Sequence, residues 1–124
     1  MTSNNMRRIL VVDDEEDVTL VFELMLRKEG YIVDTFTDPN KALSAFKSGY
    51  YDLIILDYRM PGLNGLEFIQ NVRKVDRRVK ALLLTAWEPQ SLGDKVQKRF
   101  VQVLSKPLFS EVLIKEVGLA LNGL

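Results

Sequence analysis

The chain has 124 residues, enough for one compact domain with a substantial core, and its 47% apolar and 27% charged residues are ordinary for a water-soluble protein. Seventeen basic side chains balance seventeen acidic ones, so no electrostatic pull toward nucleic acid or an anionic membrane is implied. Cysteine and histidine are both absent, which excludes disulfides, thiolate metal sites, imidazole bases and any phosphohistidine within the chain.

Short β-type runs alternate with segments of helical period. The first run is Ile9–Val12. After it, Val18, Val21, Phe22 and Met25 recur at i, i+3, i+4, i+7, which predicts a helix buried along that stripe. A second strand is expected at Ile32–Phe36, and Asp38-Pro39 then reads as an N-cap with proline in the first turn. Leu53–Leu56 is the third strand, and Asn64-Gly65-Leu66-Glu67 has the form of a capping box opening the third helix. Ala81–Leu84 is the fourth strand, followed by a shorter helix starting at Glu88-Pro89 and ending near Arg99. Val101–Leu104 is the fifth, and Ser110 caps a last helix carrying Leu113, Val117, Ala120 and Leu121 on its core stripe. Val112 and Leu119 sit off that stripe. Five β–α units in succession predict an α/β fold, a doubly wound five-stranded parallel sheet with five helices on two faces. Residues 1–7 read as a short polar extension and residues 8–124 as the domain.

Strand composition predicts the strand order. The first, third and fourth runs are wholly apolar, as befits strands covered on both faces. The second has Asp34 and Thr35, and the fifth has Gln102 with Ser105 beyond it, which suits sheet edges. The order 2-1-3-4-5 satisfies this with right-handed crossovers and reverses direction between strands one and three. Open α/β sheets bind ligands at such a switch point, beyond the carboxyl ends of the strands. Asp13 and Asp14 follow strand one and Asp57 follows strand three, so three carboxylates are expected to meet there. Without a cation they would repel and their pKa values would rise. Mg2+, a hard oxygen-loving ion that retains waters, fits such a set, with Mn2+ as a substitute. Thr85 after strand four and Lys106 after strand five project over the same rim. Carboxylates, hydroxyl, ammonium and a divalent ion are equipment for phosphoryl transfer, with Asp57 as the nucleophile.

These residues carry a resemblance. The chain resembles the receiver domains of two-component response regulators over essentially its whole length, through Ile9-Leu10-Val11-Val12-Asp13-Asp14, Asp57-Tyr58-Arg59-Met60-Pro61-Gly62, Thr85-Ala86 and Lys106-Pro107. The resemblance implies a flavodoxin-like fold and a phosphorylation-dependent signalling switch rather than a conventional turnover enzyme. It implies that Asp57 takes a phosphoryl group from the phosphohistidine of a histidine kinase or phosphotransfer protein, or from a small acyl phosphate. It further implies that Asp14, Asp57 and the Arg59 backbone carbonyl bind Mg2+ directly, with Asp13 acting through water. Thr85 would move toward the phosphoryl group, Lys106 would pair with it, and the Lys106-Pro107 bond would be cis.

Plainer readings exist for each piece. Asp13 and Asp14 could be N-cap acids of the first helix, Asp57 with Met60-Pro61-Gly62 a turn, Thr85 a strand-end hydroxyl and Lys106 a solvated lysine. Arg73, Lys74, Arg77, Arg78 and Lys80 read as a solvated face. Two departures from the family pattern stand out. Val103 occupies the switch position where the family usually has an aromatic, and Lys98-Arg99-Phe100 replaces a small-residue turn. Arg59 and Trp87, with Ala86 between Thr85 and Trp87, flank the site. Either they are surface loop residues, or Arg59 and Trp87 overhang the acyl phosphate and prolong its life. The competing functions are a receiver-shaped interaction module not driven by phosphate, and an aspartate-nucleophile phosphohydrolase, which usually has an acid where this chain has Arg59. The sequence also predicts a stand-alone, cytoplasmic chain. Its kinase is unspecified and its output protein unknown, and neither nucleic acid nor a membrane is expected to bind it.

Overall fold

The computed structural model describes residues 7–86, 101–106 and 110–122. Five parallel strands, β1 (Arg8–Val12), β2 (Ile32–Phe36), β3 (Leu53–Asp57), β4 (Lys80–Thr85) and β5 (Val101–Ser105), form one sheet in the order β2-β1-β3-β4-β5. Helices α1 (Glu16–Lys28), α2 (Pro39–Ala45), α3 (Gly65–Val72) and α4 (Ser110–Asn122) connect or follow them. These are four helices among the described residues, against five expected. The helix expected from Glu88-Pro89 to Arg99 lies outside the described residues, as do Trp87 and Pro107.

Side-chain alternation along the strands builds two cores. Ile9, Val11, Leu53, Ile55, Leu82 and Leu84 point to the face covered by α1 and α4 through Leu26, Leu113, Val117 and Leu121. Leu10, Val12, Ile54, Leu56, Ala81 and Leu83 point to the opposite face, against Ala42 of α2 and Phe68, Ile69 and Val72 of α3. Burial on both faces explains why β1, β3 and β4 carry unbroken apolar runs. The mixed strands β2 and β5 are the edges, as their composition requires.

Local signals set the helix starts. Asp38 accepts from the Asn40 and Lys41 backbone N–H groups ahead of Pro39. Asn64 and Glu67 close a reciprocal capping box at α3. Helix α1 differs from its expected face. Thr19 and Leu26 are buried and Phe22 and Met25 partly so, while Val21 is exposed beside Leu20 and Leu24. The buried stripe is turned by about one residue, because the fully buried Leu26 outweighs Val21 as the contact with the sheet. Both the third and fourth strands run one residue further than their apolar stretches, so Asp57 and Thr85 end strands rather than follow them.

Candidate functional site: a carboxylate cluster at the switch point

The carboxyl ends of β1 and β3 lie side by side, with Val12 opposite Leu56, so the residues just past each meet. Asp13, Asp14 and Asp57 each bring a carboxylate oxygen within 4.8 Å of the others. Asp13 is 2% exposed and Asp57 8%, while Asp14 is open to solvent. Chain direction explains this split. The Asp13 backbone N–H donates to the Phe36 carbonyl at 3.1 Å, continuing β1 inward, and the chain then turns outward into α1.

The two oxygens of Asp13 have different fates. Oδ1 accepts from the Glu15 backbone N–H at 2.9 Å, a turn contact that starts α1. The plainer expectation of an N-cap acid is not met, because the N-cap position of α1 is Glu15, without a side-chain cap bond, and the Asp13 contact is a turn ahead of the helix. Oδ2 is buried without a hydrogen-bond partner among the described residues. Burial pushes the Asp13 carboxyl up to about 6, opposed by the Glu15 N–H and reinforced by the charge of Asp57. A buried oxygen without a donor among the described residues, within reach of two further carboxylates, suits a cation. Three oxygen donors without nitrogen or sulfur suit Mg2+, and the residues present fit it.

Lys106 follows β5 and reaches inward, placing Nζ 3.0 Å from Asp57 Oδ1. Burial alone would lower its pKa, but the hydrogen bond and charge of Asp57, aided by Asp13 and Glu15, outweigh that and leave it raised. The ammonium therefore stays charged beside Asp57. Thr85 is buried at the end of β4, one position beyond the residue paired with Asp57, and its carbonyl accepts the Lys106 backbone N–H at 2.8 Å. Ala86 is exposed. Arg59 is also exposed and lines an open cleft of about 460 Å3 with Asp14, Tyr58, Met60, Pro61 and Asn64. Its expected overhang with Trp87 falls outside the described residues. Gly62, with φ of 84°, makes the turn that carries the chain from this cleft toward α3.

Comparison with known proteins agrees with the site. The family described as response regulator receiver domain matches residues 9–118. The chain is a response-regulator receiver domain. A curated relative, the uncharacterized transcriptional regulatory protein YkoG of Bacillus subtilis, is 37% identical over 117 residues, covering 92% of this chain and 50% of that protein. The response regulator ArlR of Staphylococcus aureus is 41% identical over 81 residues, 65% of this chain and 36% of that protein. The receiver domain thus spans half or less of the length of these curated relatives. Among solved structures, the response regulator TrrA of Thermotoga maritima, in complex with Mg2+ and BeF, superposes with a TM-score of 0.77 at 37% identity, covering 91% of this chain and 97% of that one. The chemotaxis protein CheY4 of Vibrio cholerae gives 0.80 at 27%, covering 90% and 96%. As a receiver domain of two-component signalling, the chain is not a conventional enzyme, and its class implies a histidine kinase partner. Its acidic cluster is typical of the receiver Mg2+ site and consistent with a phosphorylation site. Among the described residues no helix is long and apolar enough to cross a membrane.

The sequence reading missed how closely α3 presses on the site. A Cβ built on Gly65 would lie 2.6 Å from the Asp57 carbonyl oxygen. The only available signal was a glycine just inside a capping box, where other residues serve a helix better.

Proposed function

We propose that this receiver domain is a switch phosphorylated on Asp57 by the phosphohistidine of a histidine kinase or phosphotransfer protein. The Asp57 carboxylate attacks phosphorus, an O–P bond forms as the donor's N–P bond breaks, and the imidazole leaves with its electron pair. The observation that carries this reading is the buried Asp13 oxygen beside Asp57, with no hydrogen-bond partner among the described residues, and Asp57 itself ion-paired to Lys106.

Asp14, Asp57 and the Arg59 backbone carbonyl would hold Mg2+ directly, with Asp13 acting through water. When bound, the ion supplies positive charge to phosphoryl oxygens during transfer. Lys106, 3.0 Å from Asp57 Oδ1, neutralises a further oxygen. Thr85 donates its hydroxyl to another, and its buried position means that any movement toward phosphate is felt by the packing around β4 and β5. Val103 packs against the core on the α2–α3 face rather than offering a rotatable ring, so β5 responds through backbone and packing shifts. Helix α1 starts beside the site and exposes Leu20, Val21 and Leu24, each more than half accessible. That surface suits a protein that delivers its phosphohistidine to Asp57.

Val103 and the Lys98-Arg99-Phe100 sequence favour a receiver-like interaction module not driven by phosphorylation; the intact acids, Thr85 and Lys106 weigh against it. Incubation with Mg2+ and acetyl phosphate, followed by intact mass, separates the two. The expected result is one phosphoryl adduct, lost with EDTA and in Asp57→Asn. An unmodified wild-type chain under conditions that modify another receiver would overturn the proposal.

A further inference from the structure

Helix α3 opens with a glycine at the place where the phosphoacceptor loop leaves the sheet. Two hydrogen bonds grip that loop from opposite sides. The Tyr58 N–H donates to the Leu84 carbonyl of β4 at 2.8 Å, and the Tyr58 carbonyl accepts the Gly65 N–H at 2.7 Å. The second bond uses one of the donors that a helix start leaves without an internal partner. The Asn64–Glu67 capping box fixes the orientation of that first turn, so the donor is held in place.

The approach is closer than any other residue would permit. A Cβ on Gly65 would meet the Asp57 carbonyl oxygen at 2.6 Å, the Tyr58 Cα at 3.0 Å and Leu83 Cδ1 at 2.5 Å. The leucine methyl can rotate away. The other two atoms are backbone, and they belong to the acceptor residue and its neighbour. Gly65 has no positive φ, so its lack of a side chain serves this contact rather than a special turn.

We propose that Gly65 is a positioning residue for phosphoryl transfer, its bare Cα and N–H setting where the 57–59 backbone lies relative to Asp13 and Asp14. The inference rests on the ligand set given above, because the Arg59 carbonyl is delivered by this same stretch of chain. A methyl at Gly65 pushes the Asp57 and Tyr58 backbone away from α3, moving one ligand side chain and one ligand carbonyl together. The consequence is weakened cation binding in a chain that remains folded.

The test compares wild type, Leu83→Val, Gly65→Ala and the double variant Gly65→Ala/Leu83→Val. Leu83→Val removes the flexible methyl that a new Cβ would strike and leaves the Asp57 contact untouched. Mg2+ affinity is measured by calorimetry, and melting is followed in EDTA. The expected result is that the double variant melts within a few degrees of Leu83→Val yet binds Mg2+ about tenfold or more weakly, the range seen when groups supporting metal ligands are altered. Equal Mg2+ affinity in these two variants would overturn the inference. So would a double variant that fails to fold, since the Gly65 contact would then belong to the fold and not to the site. Absence of Mg2+ binding in wild type would instead sink the ligand set itself.

Discussion

Two buried carboxylates at opposite ends of the sheet have opposite surroundings. At the amino end Asp76, between α3 and β4, accepts backbone N–H groups from Gly49 at 3.0 Å, Arg78 at 2.9 Å and Val79 at 3.0 Å. Burial by itself would raise its pKa, but those three donors and Arg73 outweigh it and hold it below the ordinary carboxylate range. At the carboxyl end Asp13 has a single backbone donor, one oxygen with no partner among the described residues, and two acidic neighbours. Its pKa goes the other way, to about 6. The difference separates an acid that staples two loops from one whose donor set suits a cation. Burial alone does not identify a functional carboxylate; the unmet hydrogen-bonding capacity does.

Removing each acid sharpens the contrast. Asp76→Ala leaves the buried Val79 N–H and the part-buried Gly49 and Arg78 N–H groups without their acceptor and is expected to cost about 2 kcal/mol in chemical denaturation, with Mg2+ affinity unchanged. Asp13→Asn relieves a buried charge, so the metal-free protein should gain about 1 kcal/mol while its Mg2+ affinity drops. A metal-free Asp13→Asn less stable than wild type at neutral pH would break the comparison.

The pH dependence has opposite signs at the two ends. Asp13 binds its proton more tightly when folded, so its burden on metal-free stability is fully present above pH 6 and is relieved as pH falls toward about 4, the unfolded value. Asp76 binds its proton less tightly when folded, so its contribution is present above about pH 4 and is lost as pH falls below that. Denaturation of wild type, Asp13→Asn and Asp76→Ala in EDTA from pH 4 to 8 should show the wild-type-minus-Asn difference closing between 6 and 4. A difference independent of pH would contradict the assignment to Asp13. The smallest effect is expected at the exposed amino-end surface, where Tyr50 accepts a hydrogen bond from Arg8 at 2.8 Å. Tyr50→Phe should change stability by less than about 0.5 kcal/mol and leave Mg2+ binding unaltered.

Strand order was legible because the two-sided burial of β1, β3 and β4 writes itself as unbroken Ile, Leu and Val, while Asp34 and Gln102 mark the edges. The acidic cluster was legible for a related reason. Residues at the ends of adjacent parallel strands must converge, so locating β1 beside β3 locates Asp13, Asp14 and Asp57 together. The face of α1 was less legible, since Leu20, Val21, Leu24 and Leu26 offer apolar side chains nearly all round and periodicity cannot choose among them. Asp76 and Gly65 were not read as special, because their roles depend on backbone groups. A staple to Gly49 27 residues away and a contact with the Asp57 carbonyl leave no trace in side-chain pattern.

A cation that relieves the repulsion among Asp13, Asp14 and Asp57 is tested most directly by thermal unfolding with and without Mg2+. Ligand binding to the folded state alone must raise its stability. Millimolar Mg2+ is expected to raise the midpoint of wild type near pH 7, and to raise that of Asp13→Asn and Asp57→Asn much less. A wild-type midpoint that does not respond to Mg2+ would contradict it.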